Sequence, residues 1–267
     1  MRRLILALFL LAAAFGARAS DYTDIWYNPS EQSTAGGGWG VNVVQSASFM
    51  FVTFFIYGPD NKPTWYVAGL TADTNGNFNG PLYATTGTYF AAPWNPNDGA
   101  GSAQVGTASF QPTSAYTANL AYSITGGPSV VKAIQRQALT SIALGGSYDG
   151  TQAGSYSNAS CSDSYAYQDR FALGVTHVTG TSLTLTFNYE SGTTCTLSGS
   201  LQQFGQLYFI PSASYVCAAG QSSLSTSATV SEIKATNFGI EGTFTAPDVG
   251  SGCREDATFS AVFLPPI

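Results

Sequence analysis

Apolar and polar residues alternate along most of the chain with a period of two. Tyr116, Ala118, Leu120, Tyr122 and Ile124 alternate with Thr117, Asn119, Ala121 and Ser123, and Leu183, Leu185, Phe187 and Tyr189 alternate with Thr184, Thr186 and Asn188. Phe238, Ile240 and Phe244 interleave with Glu241 and Thr243, and Phe259, Ala261 and Phe263 continue in the same way. Successive side chains of a strand point to opposite faces, so this pattern predicts sheets with one dry and one wet side. Met50 to Tyr57 is apolar at nearly every position, which predicts a central strand or one covered on both faces. Turn residues punctuate the runs: Gly58-Pro59-Asp60-Asn61-Lys62-Pro63 reads as a hairpin loop, and Asn75-Gly76 and Gly126-Gly127-Pro128 are further turn signals. No ten-residue stretch carries a convincing helical stripe, and Ser227 to Ala235 is the best candidate for a short helix. The longest irregular segment is Ala91 to Gly101.

Residue usage divides the chain near 138–147. All four tryptophans (Trp26, Trp39, Trp65, Trp94) precede that stretch and all four cysteines follow it. The predicted architecture is therefore all-β, with two antiparallel barrel- or sandwich-like units. An aromatic-rich unit covers 20–140 and a disulfide-stapled unit covers 141–267; a single large sandwich is the alternative. Residues 1–19 read as a secretory signal peptide: Arg2 and Arg3, an apolar run from Leu4 to Phe15, then Ala17-Arg18-Ala19 as a small-x-small cleavage site. That run is shorter than the ~20 residues a bilayer span needs, and no later stretch makes up a membrane-spanning helix.

Several motifs of the first half occur in a recognisable order. Asp24-Ile25-Trp26-Tyr27-Asn28-Pro29-Ser30-Glu31 is followed by Gly38-Trp39-Gly40-Val41-Asn42-Val43, then Phe54-Phe55-Ile56-Tyr57 and Lys62-Pro63-Thr64-Trp65-Tyr66. Over about 21–139 this resembles an exported bacterial β module with the pattern WWNPxESGWG…YdxxGxPxWY. Tyr27 stands where that pattern has a second tryptophan, and Gln32 to Gly36 lie between Glu31 and the Gly-Trp-Gly element. The resemblance implies a β module and an exported location, without a settled activity. The second half resembles a Cys-containing β unit that sometimes follows it.

Charge narrows the partners. Of 267 residues only 9% are charged, against about 25% in an ordinary domain. Signal cleavage would remove Arg2, Arg3 and Arg18, leaving six basic residues against 15 acids and a net charge of −9. Such a chain repels phosphate backbones, which are bound through Lys and Arg, so nucleic acid and anionic lipid are poor partners. A periplasmic or secreted location fits, with no cofactor expected.

Four cysteines (Cys161, Cys195, Cys217, Cys253) in an exported chain imply two disulfides, with three possible pairings. A hairpin turning near Thr179-Gly180 would set Cys161 against Cys195, favouring Cys161–Cys195 with Cys217–Cys253. Zinc lacks close Cys pairs, and His177 is the only histidine, so metal sites and Ser/His or Cys/His catalysis want for parts. Asp73-x-Asn75-x-Asn77 begins like a calcium loop, but Phe78 and Ala84 stand where such a loop needs Gly and Glu, and a plain turn reads better.

Carboxylate-pair glycoside hydrolysis remains open as an alternative. Glu31 is its candidate acid because Trp26, Tyr27 and Trp39 surround it in sequence and desolvation by them would raise its pKa. The leading expectation is a non-catalytic recognition or attachment protein for glycan or cell-envelope material. Its candidate contacts are Trp94, Trp26, Tyr27, Trp39 and Trp65, with core packing the competing use of the strand-borne rings. A structural or assembly protein of the cell surface is the third reading.

Overall fold

The computed structural model describes residues 20–32, 38–99, 101–158 and 160–265; the expected signal peptide lies outside them. Among the described residues the only helical element is a single 3-10 turn, Pro29–Glu31, and the rest is antiparallel strand and connection.

The first eight strands are β1 (Asp24–Tyr27), β2 (Gly40–Ser46), β3 (Phe49–Tyr57), β4 (Pro63–Ala72), β5 (Phe78–Thr86), β6 (Gly101–Pro112), β7 (Thr117–Ile124) and β8 (Ser129–Arg136). They pair in sequence order, and Trp26↔Arg136 and Tyr27↔Gln135 between β1 and β8 close the barrel. Every second residue points inward. Val41, Val43, Met50, Val52, Phe54, Leu70, Leu82, Phe110 and Leu120 fill the interior around Trp26. An eight-stranded barrel is just wide enough for side chains to fill it or for one small ligand to enter. In this up-and-down order the β1–β2, β3–β4, β5–β6 and β7–β8 connections all emerge at one end.

The second unit comprises β9 (Gly146–Ser157), β10 (Tyr165–Val178), β11 (Ser182–Tyr189), β12 (Thr194–Ser200), β13 (Gln202–Phe204), β14 (Leu207–Ala219), β15 (Ser222–Thr236), β16 (Gly239–Ala246) and β17 (Arg254–Leu264). β12 pairs with β14 as well as with β11, so eight of these strands also form a closed ring, with β13 folded onto β14 as a short hairpin. Its interior holds Phe171, Leu173, Leu183, Leu185, Phe187, Leu197, Val230, Ile233, Phe244 and Phe259.

Three sequence expectations are corrected here. The segment Ser227 to Ala235 is strand within β15, not helix; its Ala228, Val230, Ile233 and Ala235 line the barrel interior. A β-bulge between Ser231 and Lys234 shifts the register and breaks the strict alternation that would have identified a strand.

The disulfides are Cys161–Cys253 and Cys195–Cys217, not Cys161–Cys195 and Cys217–Cys253. The hairpin at 179–181 exists, but Cys161 lies before β10 starts and Cys195 lies on β12, one strand beyond β11. Cys195 instead stands directly opposite Cys217 across the β12–β14 seam. Cys161, just past the end of β9, meets Cys253 at the start of the neighbouring β17. Both bonds belong to an oxidising, extracytoplasmic compartment.

Third, β3 is covered on one face only. Met50, Val52 and Phe54 are core, while Phe49, Phe51, Phe55 and Tyr57 face outward and are not covered by a further layer among the described residues. Its neighbours β2 and β4 lie beside it in the same barrel wall.

Candidate functional site

The outer wall formed by β2, β3 and β4 carries a ladder of aromatic rings. Phe51, Phe55, Tyr57 and Trp65 are 43, 58, 52 and 55% exposed, well beyond what packed rings show. Phe55 and Trp65 oppose one another across β3 and β4. Phe55 has Gly40 as its other neighbour, and Phe51 lies between Val44 and Gly69. Glycines beside a ring remove the cross-strand partner that would cover its flank. The intervening outward positions are Asn42, Thr53, Val67 and Thr71, so this wall bears no charge.

At the end where the four connections emerge, this wall meets the barrel mouth. A cavity of about 280 Å³ opens there, lined by Ile56, Tyr57, Tyr122, Val130 and Trp39, with the buried Phe54 and Leu120 packed behind them. Glu31 and Lys132 sit at its rim, 2.6 Å apart from Oε1 to Nζ. The Trp39 indole N–H donates to Glu31 Oε2 at 2.6 Å, and the Lys132 ammonium lies 5.9 Å from the Trp39 ring centroid. Hydrogen bonds from Lys132 and then from Trp39 hold the Glu31 carboxyl below its ordinary pKa. The sequence expectation ran the other way. Glu31 is exposed rather than desolvated, so the donors decide its ionisation.

The remaining candidates separate by place. Trp26 has no exposed surface; its indole N–H donates to the Tyr22 carbonyl and its ring packs edge-on to Phe110. That removes it from the binding set, because a ring without accessible surface touches no ligand. Tyr27 is half-buried near the mouth and its hydroxyl accepts from Gln135. Trp94 is 70% exposed on the β5–β6 connection, at the mouth end, together with exposed Tyr89 and Phe90. Asp73 accepts backbone N–H bonds from Asn75 and Asn77 in a compact turn, and Phe78 beside it is core. His177 accepts the Leu144 N–H through Nδ1, and burial lowers its pKa; it pins the link between the barrels.

Two features escaped the sequence. Lys132 meets Glu31 across 101 positions, and no local signal joins them. In the second barrel Glu255 is buried, and Tyr167 and Tyr215 donate hydroxyl hydrogen bonds to it. Tyr189 and Gln152 continue that chain, since Tyr189 donates to Gln152 Oε1 and Gln152 Nε2 donates to the Tyr167 hydroxyl. Burial raises the Glu255 pKa above the ordinary value, and the tyrosine hydroxyls only partly oppose it. Glu31 is the only acid among the residues lining the mouth, so no carboxylate pair forms there.

No family model matches the chain, and no curated protein is similar enough in sequence to count as a relative. Among solved structures the chain is similar to a mutant of the vaccine antigen transferrin binding protein B from Haemophilus parasuis Hp5. That match has 12% identity and a TM-score of 0.32, and covers 93% of this chain and 60% of that one. It is also similar to the isotype 1 transferrin binding protein B from serogroup B Neisseria meningitidis, at 12% identity and a TM-score of 0.24, covering 88% of this chain and 68% of that one. Scores this low carry no argument about function.

Proposed function

We propose that the chain is an extracytoplasmic recognition or attachment protein that grips an uncharged glycan of the cell envelope or its surroundings through the outer aromatic wall of the first barrel. The exposed ladder of Phe51, Phe55, Tyr57 and Trp65 on a charge-free surface is the observation that carries this reading. Sugar rings present C–H faces that lie flat on aromatic rings, and their hydroxyls find partners in the neighbouring Asn42, Thr53 and Thr71. A charged polymer would find no counter-ion on this wall. The resemblance of 21–139 to an exported β module accords with the extracytoplasmic location, and exposed Tyr89, Phe90 and Trp94 on the β5–β6 connection would extend the same kind of contact at the mouth end.

Co-sedimentation with a panel of insoluble neutral polysaccharides and purified envelope fractions tests the proposal. Burying a large apolar side chain contributes about 1.5–3 kcal/mol, so Phe55→Ala/Trp65→Ala should weaken retention by at least about tenfold. Retention of the double variant equal to the unaltered chain, or no retention on any material, would overturn the reading.

A further inference from the structure

We infer that the mouth of the first barrel is a binding site for a small apolar carboxylic acid, and that Glu31 is the chain's own carboxylate occupying the position of that ligand's head group. This goes beyond the attachment reading, which concerns the outer wall.

The cavity has two unlike parts. Its inner part is apolar: half-buried Ile56, Tyr122 and Val130 supply the accessible surface, and the packed core side chains Phe54 and Leu120 lie behind them. Its rim presents two donors to one carboxylate: the Lys132 ammonium to Oε1 and the Trp39 indole N–H to Oε2, each at 2.6 Å. Charge-assisted donors on both oxygens are how proteins recognise carboxylates. Lys132 is also the only cation among the residues lining the cavity.

Glu31 does not come from the barrel wall. It ends the 3-10 turn Pro29–Glu31 on the β1–β2 connection and lines the cavity with its carboxylate, and among the described residues the rest of the lining apart from Lys132 is apolar or aromatic. An exposed ion pair of this kind is weak, so the tethered carboxylate is displaceable. A free acid would reproduce its two hydrogen bonds and, unlike Glu31, would also place an apolar body against the apolar inner part. The volume of about 280 Å³ lies just below the usual range of ligand pockets, about 300 to 1,000 Å³. That favours a short aliphatic or single-ring acid over a long-chain lipid.

Titration calorimetry of the whole chain with octanoate, and with octanol as the head-group control, tests this. Octanoate should bind in preference to octanol. Glu31→Gln should tighten octanoate by about fivefold or more, since a charged competitor has gone. Lys132→Met should weaken octanoate by about tenfold or more and leave octanol unchanged. A second readout needs no variant. In the unaltered chain the Trp39 indole N–H resonance should move as octanoate is added and stay in place with octanol. Equal binding of the two probes, a Glu31→Gln chain with native circular dichroism that binds octanoate no better than the unaltered chain, or a Trp39 resonance that stays in place at millimolar octanoate would each overturn the inference. Phe55→Ala/Trp65→Ala should leave octanoate binding intact, so failure here and failure of the glycan reading are separable.

Discussion

Identical residue types take opposite roles according to where the fold sets them. Trp26 is sealed in the first core, Trp39 edges the mouth and Trp65 stands on the outer wall, although all three occur in or beside strand-forming sequence. The glutamates divide in the same way. Glu31 is exposed, held by two donors and kept ionised below its usual range. Glu255 is buried among tyrosine hydroxyls with its pKa raised, chiefly by burial. A carboxyl whose folded pKa exceeds its unfolded value costs stability once ionised. The folded state is therefore favoured below the ordinary value of 4.5, and that advantage is lost as pH rises from there through the raised value. Glu255→Gln cannot ionise, so its melting temperature should fall less than that of the unaltered chain between acidic and mildly alkaline pH. Parallel thermal melts of the two chains across that range check this. His177 works in the other direction: its lowered pKa withdraws stability as pH falls below 6.5, and it does so equally in both chains.

Elements decide what the residues cannot. β3 alternates faithfully, yet aromatic residues occupy both of its faces, and only the barrel determines that one face packs while the other meets solvent. Closure of the second ring depends on the β12–β14 seam, which Cys195–Cys217 ties at directly opposed positions. Cys161–Cys253 ties the ends of the neighbouring strands β9 and β17. The bonds enclose separations of 22 and 92 residues. On the chain-entropy account the shorter loop contributes about 3 kcal/mol and the longer about 5 kcal/mol. Replacing each cysteine pair by alanines should therefore lower unfolding free energy in that order, Cys161/Cys253 losing more. Urea unfolding of the two variants measures it; the reverse order would assign the greater role to the seam itself.

Across the whole molecule, the end of the first barrel opposite the mouth is clamped to the second barrel. Arg136 is buried and donates to Asp24 and to the carbonyls of Asp21, Thr23 and Ala115. Asp24 Oδ2 in turn accepts the Gln206 N–H from the β13–β14 turn. Tyr116 packs against Phe204 and Phe209, and its hydroxyl accepts the Glu232 N–H at 2.7 Å. Burial pushes the Tyr116 hydroxyl up to about 12, so it stays protonated. Gly205 fits this clamp for two reasons: its φ is +61°, and a Cβ there would strike Asp24 and Arg136. Left-handed backbone costs a residue with a Cβ about 1–2 kcal/mol before any clash. Gly205→Ala should therefore loosen the junction and split one melting transition into two, read by calorimetry. A single transition, lowered or unchanged, would mean the barrels are joined by more than this contact. The clamp lies at the end of the first barrel away from the mouth, at which Glu31, Trp39 and Lys132 stand.

The two-residue period, the turn residues and the cysteine count were enough to specify an all-β chain with two disulfides, because strand faces and turns are set by neighbours in sequence. Trp94 was likewise legible as an exposed ring, since Pro, Asn and Gly surround it in an irregular loop. The pairing of cysteines, the bare face of β3, the burial of Trp26 and the meeting of Glu31 with Lys132 belong to tertiary structure alone. Each depends on which strands become neighbours and how the ring closes. A period of two states that a residue has a side, whereas only closure of the barrel decides what, if anything, lies against that side.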